Sequence, residues 1–152
     1  MATKPDFPFL LQPGIHKVSL TELEAIAVTP FPTDAKRQQL FAFLRQWIGE
    51  LRALNVSAIL WLDGSFLTQK PGPGDIDCVL WNPSCSTPLT APLQTQIFQL
   101  LDANILDAQY SLDFYMETPA SHELFHREAY WKGLLGFQHD RVTAKGFVEI
   151  SI

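Results

Sequence analysis

The chain has 152 residues and a formal net charge of −5, with 11 Lys and Arg against 16 Asp and Glu. Its composition, 47% hydrophobic and 18% charged, is too apolar for a disordered chain and too evenly mixed for a membrane protein. The whole acidic excess lies in residues 77–152, which carry four basic and nine acidic side chains. This distribution argues against a basic face that binds duplex DNA or long RNA. The length predicts a single domain over residues 1–152.

The cysteines and the N-terminal segment indicate the cellular compartment of the protein. Cys78 and Cys85 are too few for a disulfide framework and have no metal-ligand spacing, which is typical of free thiols in a reducing cytosol. The first residues lack the apolar core of a secretion signal, and no stretch is long enough to span a bilayer. We therefore expect a cytoplasmic protein with no membrane contact. Residues 1–18 form an N-terminal arm in this interpretation, and its Phe7 and Phe9 suggest docking to the domain or to a second copy in a homo-oligomer.

Hydrophobic spacing predicts alternating helices and strands. A short helix over 19–28 has the capping-box pattern at Ser19 and Glu22, and a long helix over 34–54 has apolar residues at every third or fourth position. The other predicted elements are a strand over 57–62, a strand over 75–81, a loop over 82–92, a helix with apolar residues from 93 to 101, a strand over 110–117, a helix over 121–135 with Ser121 as N-cap, and a strand over 147–152. This order predicts an α/β or α+β fold, in which a small mixed β-sheet has helices packed on it.

The strongest functional signal is a Gly-Ser turn followed by two closely spaced aspartates. Gly64 and Ser65 follow one predicted strand, and Asp75 and Asp77 open the next. Residues i and i+2 of a strand project from the same face, so the two carboxylates point together. They would repel each other unless one took up a proton or a divalent cation lay between them, and Mg²⁺ held by carboxylates and substrate phosphates is the usual solution. The turn fits the same site, since glycine lets backbone amides approach a phosphate and the serine hydroxyl adds a donor.

A third acid follows from the alternation in the strand over 110–117. Asp113 lies on the face opposite to Leu112 and Phe114. If this strand lies beside the Asp75 strand, Asp113 completes a three-carboxylate site. Such a site can hold two metal ions about 3.5–4 Å apart for in-line phosphoryl displacement.

This pattern resembles the signature of the DNA polymerase beta-type nucleotidyltransferase superfamily, which consists of Gly-Ser, a spacer and Asp-hydrophobic-Asp-hydrophobic. Asp113 stands at the place of the superfamily's third acid. The segments WLDGSFLT, PGDIDCVLW and KGFVEI look closer still to an uncharacterised bacterial family of short nucleotidyltransferase-like proteins. The short chain also resembles the minimal nucleotidyltransferases found as antitoxins beside nuclease toxins. The resemblance covers mainly residues 57–117, the motif-bearing core.

This resemblance implies an enzyme that moves a nucleoside monophosphate from a nucleoside triphosphate, such as ATP, to a hydroxyl group. The acceptor would be a protein, such as a toxin, or a small molecule within a toxin–antitoxin or defence module. Two Mg²⁺ ions, which Mn²⁺ can replace, would be bound by the catalytic residues Asp75, Asp77 and Asp113. The nucleotide would be bound by Gly64, Ser65 and Lys70.

The chain departs from the superfamily pattern at two places. Asp63 stands where a hydrophobic residue is usual, and the loop over 71–74 leaves little room for the helix that usually follows the Gly-Ser turn. Besides Lys70, several cations are candidates for contact with phosphate, and the sequence does not choose among them: Arg127, Lys132, Arg141 and Lys145.

Two other functions stay open. The same fold with an inert site would be an antitoxin or an interaction module. The sequence from His122 to His126 reads HELFH, which matches the HExxH pattern of zinc hydrolases, where Glu123 would be the general base, although no third ligand is evident.

Overall fold

Five strands form one mixed sheet in the computed structural model, which describes residues 4–152. The strands lie in the order β1-β5-β2-β3-β4. The pairs β1–β5 and β3–β4 are parallel, and β5–β2 and β2–β3 are antiparallel. The strands are β1 (Gly14–Lys17), β2 (Val56–Asp63), β3 (Ile76–Cys85), β4 (Leu112–Glu117) and β5 (Gly146–Ser151), and the helices are α1 (Leu20–Ala27), α2 (Ala35–Ala53), α3 (Ala91–Leu100), α4 (Ala103–Tyr110) and α5 (Leu124–Leu135). The predicted α+β fold, a mixed sheet with helices packed on it, is confirmed.

The two faces of the sheet have separate cores. The larger core joins the sheet to α1, α2 and α4, with α3 packed against it, and its biggest side chain is Trp47 of α2. The smaller core lies under α5 and is mainly aromatic: Trp61, Val79, Trp81, Trp131, Leu135 and Phe147. Because side chains alternate along a strand, Asp63, Asp77 and Asp113 fall on this second face. The acidic residues therefore lie beyond the end of the small core, on the α5 side of the sheet.

The two N-terminal helices begin where the sequence predicts. The Ser19 hydroxyl accepts from the Glu22 N–H at 3.1 Å, and the Glu22 carboxylate accepts from the Ser19 N–H at 2.7 Å. Asp34 caps α2 by accepting from the Arg37 N–H at 3.2 Å. These caps form between residues three apart, so they can be recognised without knowledge of the tertiary structure.

The structure differs from the predicted elements at four places. The strand predicted over 110–117 starts at Leu112, because the unpredicted helix α4 runs to Tyr110 and Ser111 turns the chain with a φ of 53°. The strand predicted to end at 81 continues to Cys85. It passes Asn82, which has a φ of 48°, and a register shift against β2 accommodates Pro83, which has no N–H to donate.

The other two differences lie at the ends of the chain. Residues 14–17 of the predicted arm form the short edge strand β1, which has no clear alternation of apolar residues. The predicted N-cap Ser121 lies before α5, whose N-cap is Glu123 without a side-chain cap bond. Residues 1–3 of the arm lie outside the described part of the chain. Within residues 4–152, every helix is too short or too polar to cross a membrane.

Candidate functional site

Asp77 and Asp113 lie side by side at the start of two parallel strands. The β3–β4 register pairs Asp77 with Asp113, and Asp75 directly precedes β3. All three side chains line one cavity of about 680 Å³. The structure therefore brings together the three acids that the sequence predicts, on the strand arrangement that the prediction required.

The like charges of these acids are poorly compensated. Burial raises the pKa of Asp77 to about 6, and the negative charges of Asp75 and Asp113 act in the same direction. The pKa of Asp75 is also raised, first by burial and then by Asp113. The Asp113 charge acts on both Asp75 and Asp77, and the three carboxylates offer hard oxygen donors, which fits Mg²⁺.

The carboxylates nevertheless do not converge on one point. Across residues 4–152, no group of three or more His, Cys, Asp or Glu side chains is arranged to hold a metal ion as it stands. Metal binding at Asp75, Asp77 and Asp113 would therefore require these side chains to move toward one another.

The Gly-Ser turn lies directly against Asp77. Gly64 has a φ of 97°, and a Cβ at this position would lie 3.1 Å from Oδ2 and 3.2 Å from Cγ of Asp77. A single 3₁₀ turn over 65–67 follows, which agrees with the little room expected for a helix. Ser65 and Lys70 line the same cavity. All three predicted nucleotide-binding residues are thus placed beside the acids.

Replacing Gly64 by Ala is expected to destabilise the protein by about 1–3 kcal/mol, because the positive φ strains any residue with a Cβ and Asp77 leaves no free space. Urea unfolding measures this loss. Gly74→Ala is the matched control, since a Cβ there meets nothing within 4 Å. Equal stability of the two variants would contradict this account of the turn.

A buried arginine that the sequence analysis missed holds this loop in place. Arg37 of α2 is fully buried. Its guanidinium donates to the carbonyl of Ala27 at 3.0 Å, to that of Phe66 at 2.7 Å and to that of Lys70 at 2.8 Å, and also to the carbonyl of Thr68. Three of these acceptors belong to the loop that carries the Gly-Ser turn. The signal was present, because an arginine at position 37 falls on the apolar stripe of α2 that continues with Leu40.

The N-cap of α2 completes this arrangement. Oδ2 of Asp34 lies 3.4 Å from Nε of Arg37 and accepts from the Gly72 N–H at 2.9 Å. The guanidinium also lies over the ring of Phe31, 3.9 Å from its centroid. One buried cation and one acid thus fix the loop between Phe66 and Gly72.

Asp63, the departure from the superfamily pattern, forms a buried ion pair. Nζ of Lys145 lies 2.6 Å from both carboxylate oxygens of Asp63, and the two residues are 9% and 4% exposed. Burial raises the pKa of Asp63 to about 7, although Lys145 acts in the opposite direction. The β2–β3 register places Asp63 opposite Asp77, so this pair adjoins the acidic cluster.

The other cations that the sequence offered for phosphate contact are not buried beside the acids as Lys145 is. Arg127 pairs with Glu117 and lies over the ring of Tyr130, and Lys132 lies 3.8 Å from Glu128. Arg141 lines the cavity at an exposed turn.

The zinc interpretation gains no support. His122 precedes α5, while His126 lies within it, so the two imidazoles do not share one helical face. No metal-holding group includes either histidine in the described chain. Both cysteines are free thiols, as predicted.

Beside the acids, the cavity has an aromatic and apolar wall that begins at Tyr115, two residues along β4 from Asp113. Tyr115 is 46% exposed and packs against Trp131 with the rings tilted and their centroids 5.0 Å apart, and Leu134 and Phe137 continue this wall. The predicted docking of the arm to the domain is seen at Phe7, which lines the cavity, and at Phe9, which bridges to Thr68.

Comparisons with known proteins leave the activity open. A profile of one protein family matches residues 5–151, and it describes a family of unknown function. Neither the curated proteins nor the solved structures provide a match to this chain.

Proposed function

Since the chain belongs to DUF6932, a family of unknown function, we propose from its site that it is a Mg²⁺-dependent nucleotidyltransferase. It would move a nucleoside monophosphate from a nucleoside triphosphate to a hydroxyl of a protein or small-molecule acceptor. The observation that carries this proposal is the alignment of Asp77 with Asp113 on parallel strands, with Gly64 packed against Asp77. These features were predicted from one motif, and they lie in one cavity.

Asp75, Asp77 and Asp113 would hold the Mg²⁺ ions, and Mn²⁺ could replace them. Bound Mg²⁺ would supply charge neutralisation on the phosphates and a lower pKa for the attacking hydroxyl. The backbone amides at Gly64 and the hydroxyl of Ser65 would donate to phosphate oxygens, and the Lys70 ammonium would approach them from the loop.

The rest of the cavity suits a small ligand. Its volume, about 680 Å³, lies within the range of roughly 300–1,000 Å³ that is usual for ligand sites. A cytoplasmic location is part of this proposal and is supported by the free thiols of Cys78 and Cys85.

A thermal-shift titration with ATP, GTP, CTP and UTP, each with and without Mg²⁺, tests the proposal. One nucleotide is expected to stabilise the protein only when Mg²⁺ is present, by about 2.7 kcal/mol at 100 times its Kd. Asp77→Asn should lose this stabilisation. Glu24→Gln is the matched control, because Glu24 lies on α1 outside the cavity lining and should leave the stabilisation unchanged.

The opposite result is equally informative. If no nucleotide stabilises the wild-type protein in the presence of Mg²⁺ or Mn²⁺, the nucleotidyltransferase proposal is wrong. The same fold would then be pursued as an inert antitoxin or interaction module.

A further inference from the structure

We infer that Lys145, held in place by Asp63, is a second cation that contacts the phosphates of the nucleotide, in addition to Lys70. This inference rests on the proposed function and deepens it, since it selects one cation among those that the sequence left open. It also gives a role to Asp63, which stands where the superfamily that the motif resembles usually has a hydrophobic residue.

The first argument is the hydrogen-bonding capacity of the ammonium. A lysine ammonium has three N–H donors, and Lys145 directs two of them to the oxygens of Asp63, each at 2.6 Å. Residues 4–152 offer it no third acceptor. The side chain is nine-tenths buried and lines the cavity, so the remaining donor is available to a ligand that enters there.

The second argument is the position of this donor. Asp63 immediately precedes the Gly64-Ser65 turn and lies opposite Asp77 in the β2–β3 register. A group bonded to Asp63 therefore lies between the turn and the acids. This is where the phosphates of a nucleotide held by Gly64 and by Mg²⁺ at Asp77 would be.

The third argument is preorganisation. Arg141 is exposed and Lys70 is half-buried in the structure, and each would lose side-chain freedom on binding a phosphate, which costs conformational entropy. Lys145 is already fixed, at its side chain by Asp63 and at its backbone by the bond from its N–H to the Gly136 carbonyl at 2.8 Å. A charge fixed in a partly dry site also interacts more strongly than one in water.

The requirements of the fold do not account for the pair. Replacing a buried ion pair by apolar residues of similar size is often neutral or stabilising, whereas removing only one partner leaves an uncompensated charge. A fold that needed only a filled space between β2 and the segment before β5 could place two apolar residues here. The pair keeps a positive group beside the acids instead.

The test compares the wild-type protein with the double variant Asp63→Leu/Lys145→Met, which removes both charges together. The variant is expected to unfold in urea at a midpoint near that of the wild type. Its affinity for the Mg²⁺-nucleotide that stabilises the wild type is expected to fall at least tenfold, or about 1.4 kcal/mol. Lys132→Met is the matched control, since Lys132 is a lysine of α5 outside the cavity lining, and it should bind the nucleotide as the wild type does.

Each outcome decides between the two proposals. If the double variant folds and binds the nucleotide as tightly as the wild type, Lys145 is only a structural partner of Asp63 and the inference is wrong, while the proposed function stands. If the wild type itself binds no nucleotide, both fall together. Should the double variant fail to fold, Asp63→Asn/Lys145→Gln removes the charges while keeping polar groups, and the same comparison applies.

Discussion

Replacement of Asp77 by Asn is expected to stabilise the metal-free protein by about 1–3 kcal/mol at pH 8, because it removes a half-buried carboxylate beside two other carboxylates. The pKa of Asp77 is about 6 in the fold against an ordinary value of 3.8. A raised pKa means that the folded state binds the proton more tightly than the unfolded state. The stability that this proton contributes is complete below pH 3.8 and is lost as the pH rises through about 6.

The difference in the free energy of unfolding between Asp77→Asn and the wild type should therefore be small at pH 4 and reach its full value above pH 7. Urea unfolding at several pH values without divalent cations measures it. Glu24→Gln, on α1 and outside the cavity lining, controls for the loss of one negative charge, and its effect on stability should not grow in this way with pH. If the wild type and Asp77→Asn were equally stable at pH 8, the Asp77 carboxylate would not destabilise the folded protein, and this account would be wrong.

Replacement of Arg37 by Met is expected to destabilise the protein by about 3–5 kcal/mol, the usual cost of breaking a buried network of a charge and its partners. The methionine fills much of the space but leaves the carbonyls of Ala27, Phe66, Thr68 and Lys70 without their donor. Each buried acceptor without a partner costs about 1–3 kcal/mol before relaxation. Chemical denaturation of the purified variant measures the loss.

Two further variants sharpen this prediction about Arg37. Arg45→Met changes an exposed arginine of the same helix, and its effect should stay within about 0.5 kcal/mol. Arg37→Lys keeps the charge but loses the planar group that reaches several acceptors at once, so it should remain strongly destabilised. If Arg37→Met were as stable as Arg45→Met, the arginine would not be what fixes the loop.

The parts of the site that could be predicted are those coded by neighbouring residues. The spacing of Asp75 and Asp77, and the alternation that isolates Asp113, depend only on the two-residue period of a strand. The caps at Ser19 and Asp34 depend on contacts three residues along the chain. In each case the sequence itself holds both partners within a few positions.

The parts that could not be predicted depend on contacts across the chain. Lys145 and Asp63 are 82 residues apart, and Arg37 bonds to a carbonyl 33 residues away. The sequence around a lysine does not indicate which distant acid it will pair with in the fold. The edge strand β1 escaped prediction for a similar reason, since its four residues gain their structure only from pairing with β5.

The position of β5 also sets the order in which a growing chain can complete this site. This strand lies between β1 and β2 in the sheet, yet it is the last of the five to be synthesised. While residues 145–151 are still inside the ribosome, β1 has no strand to pair with and Asp63 has no ammonium beside it. Until the last strand takes its place beside β2, next to the edge of the sheet, the acids of β3 and β4 lack the ammonium of Lys145, which directly precedes that strand.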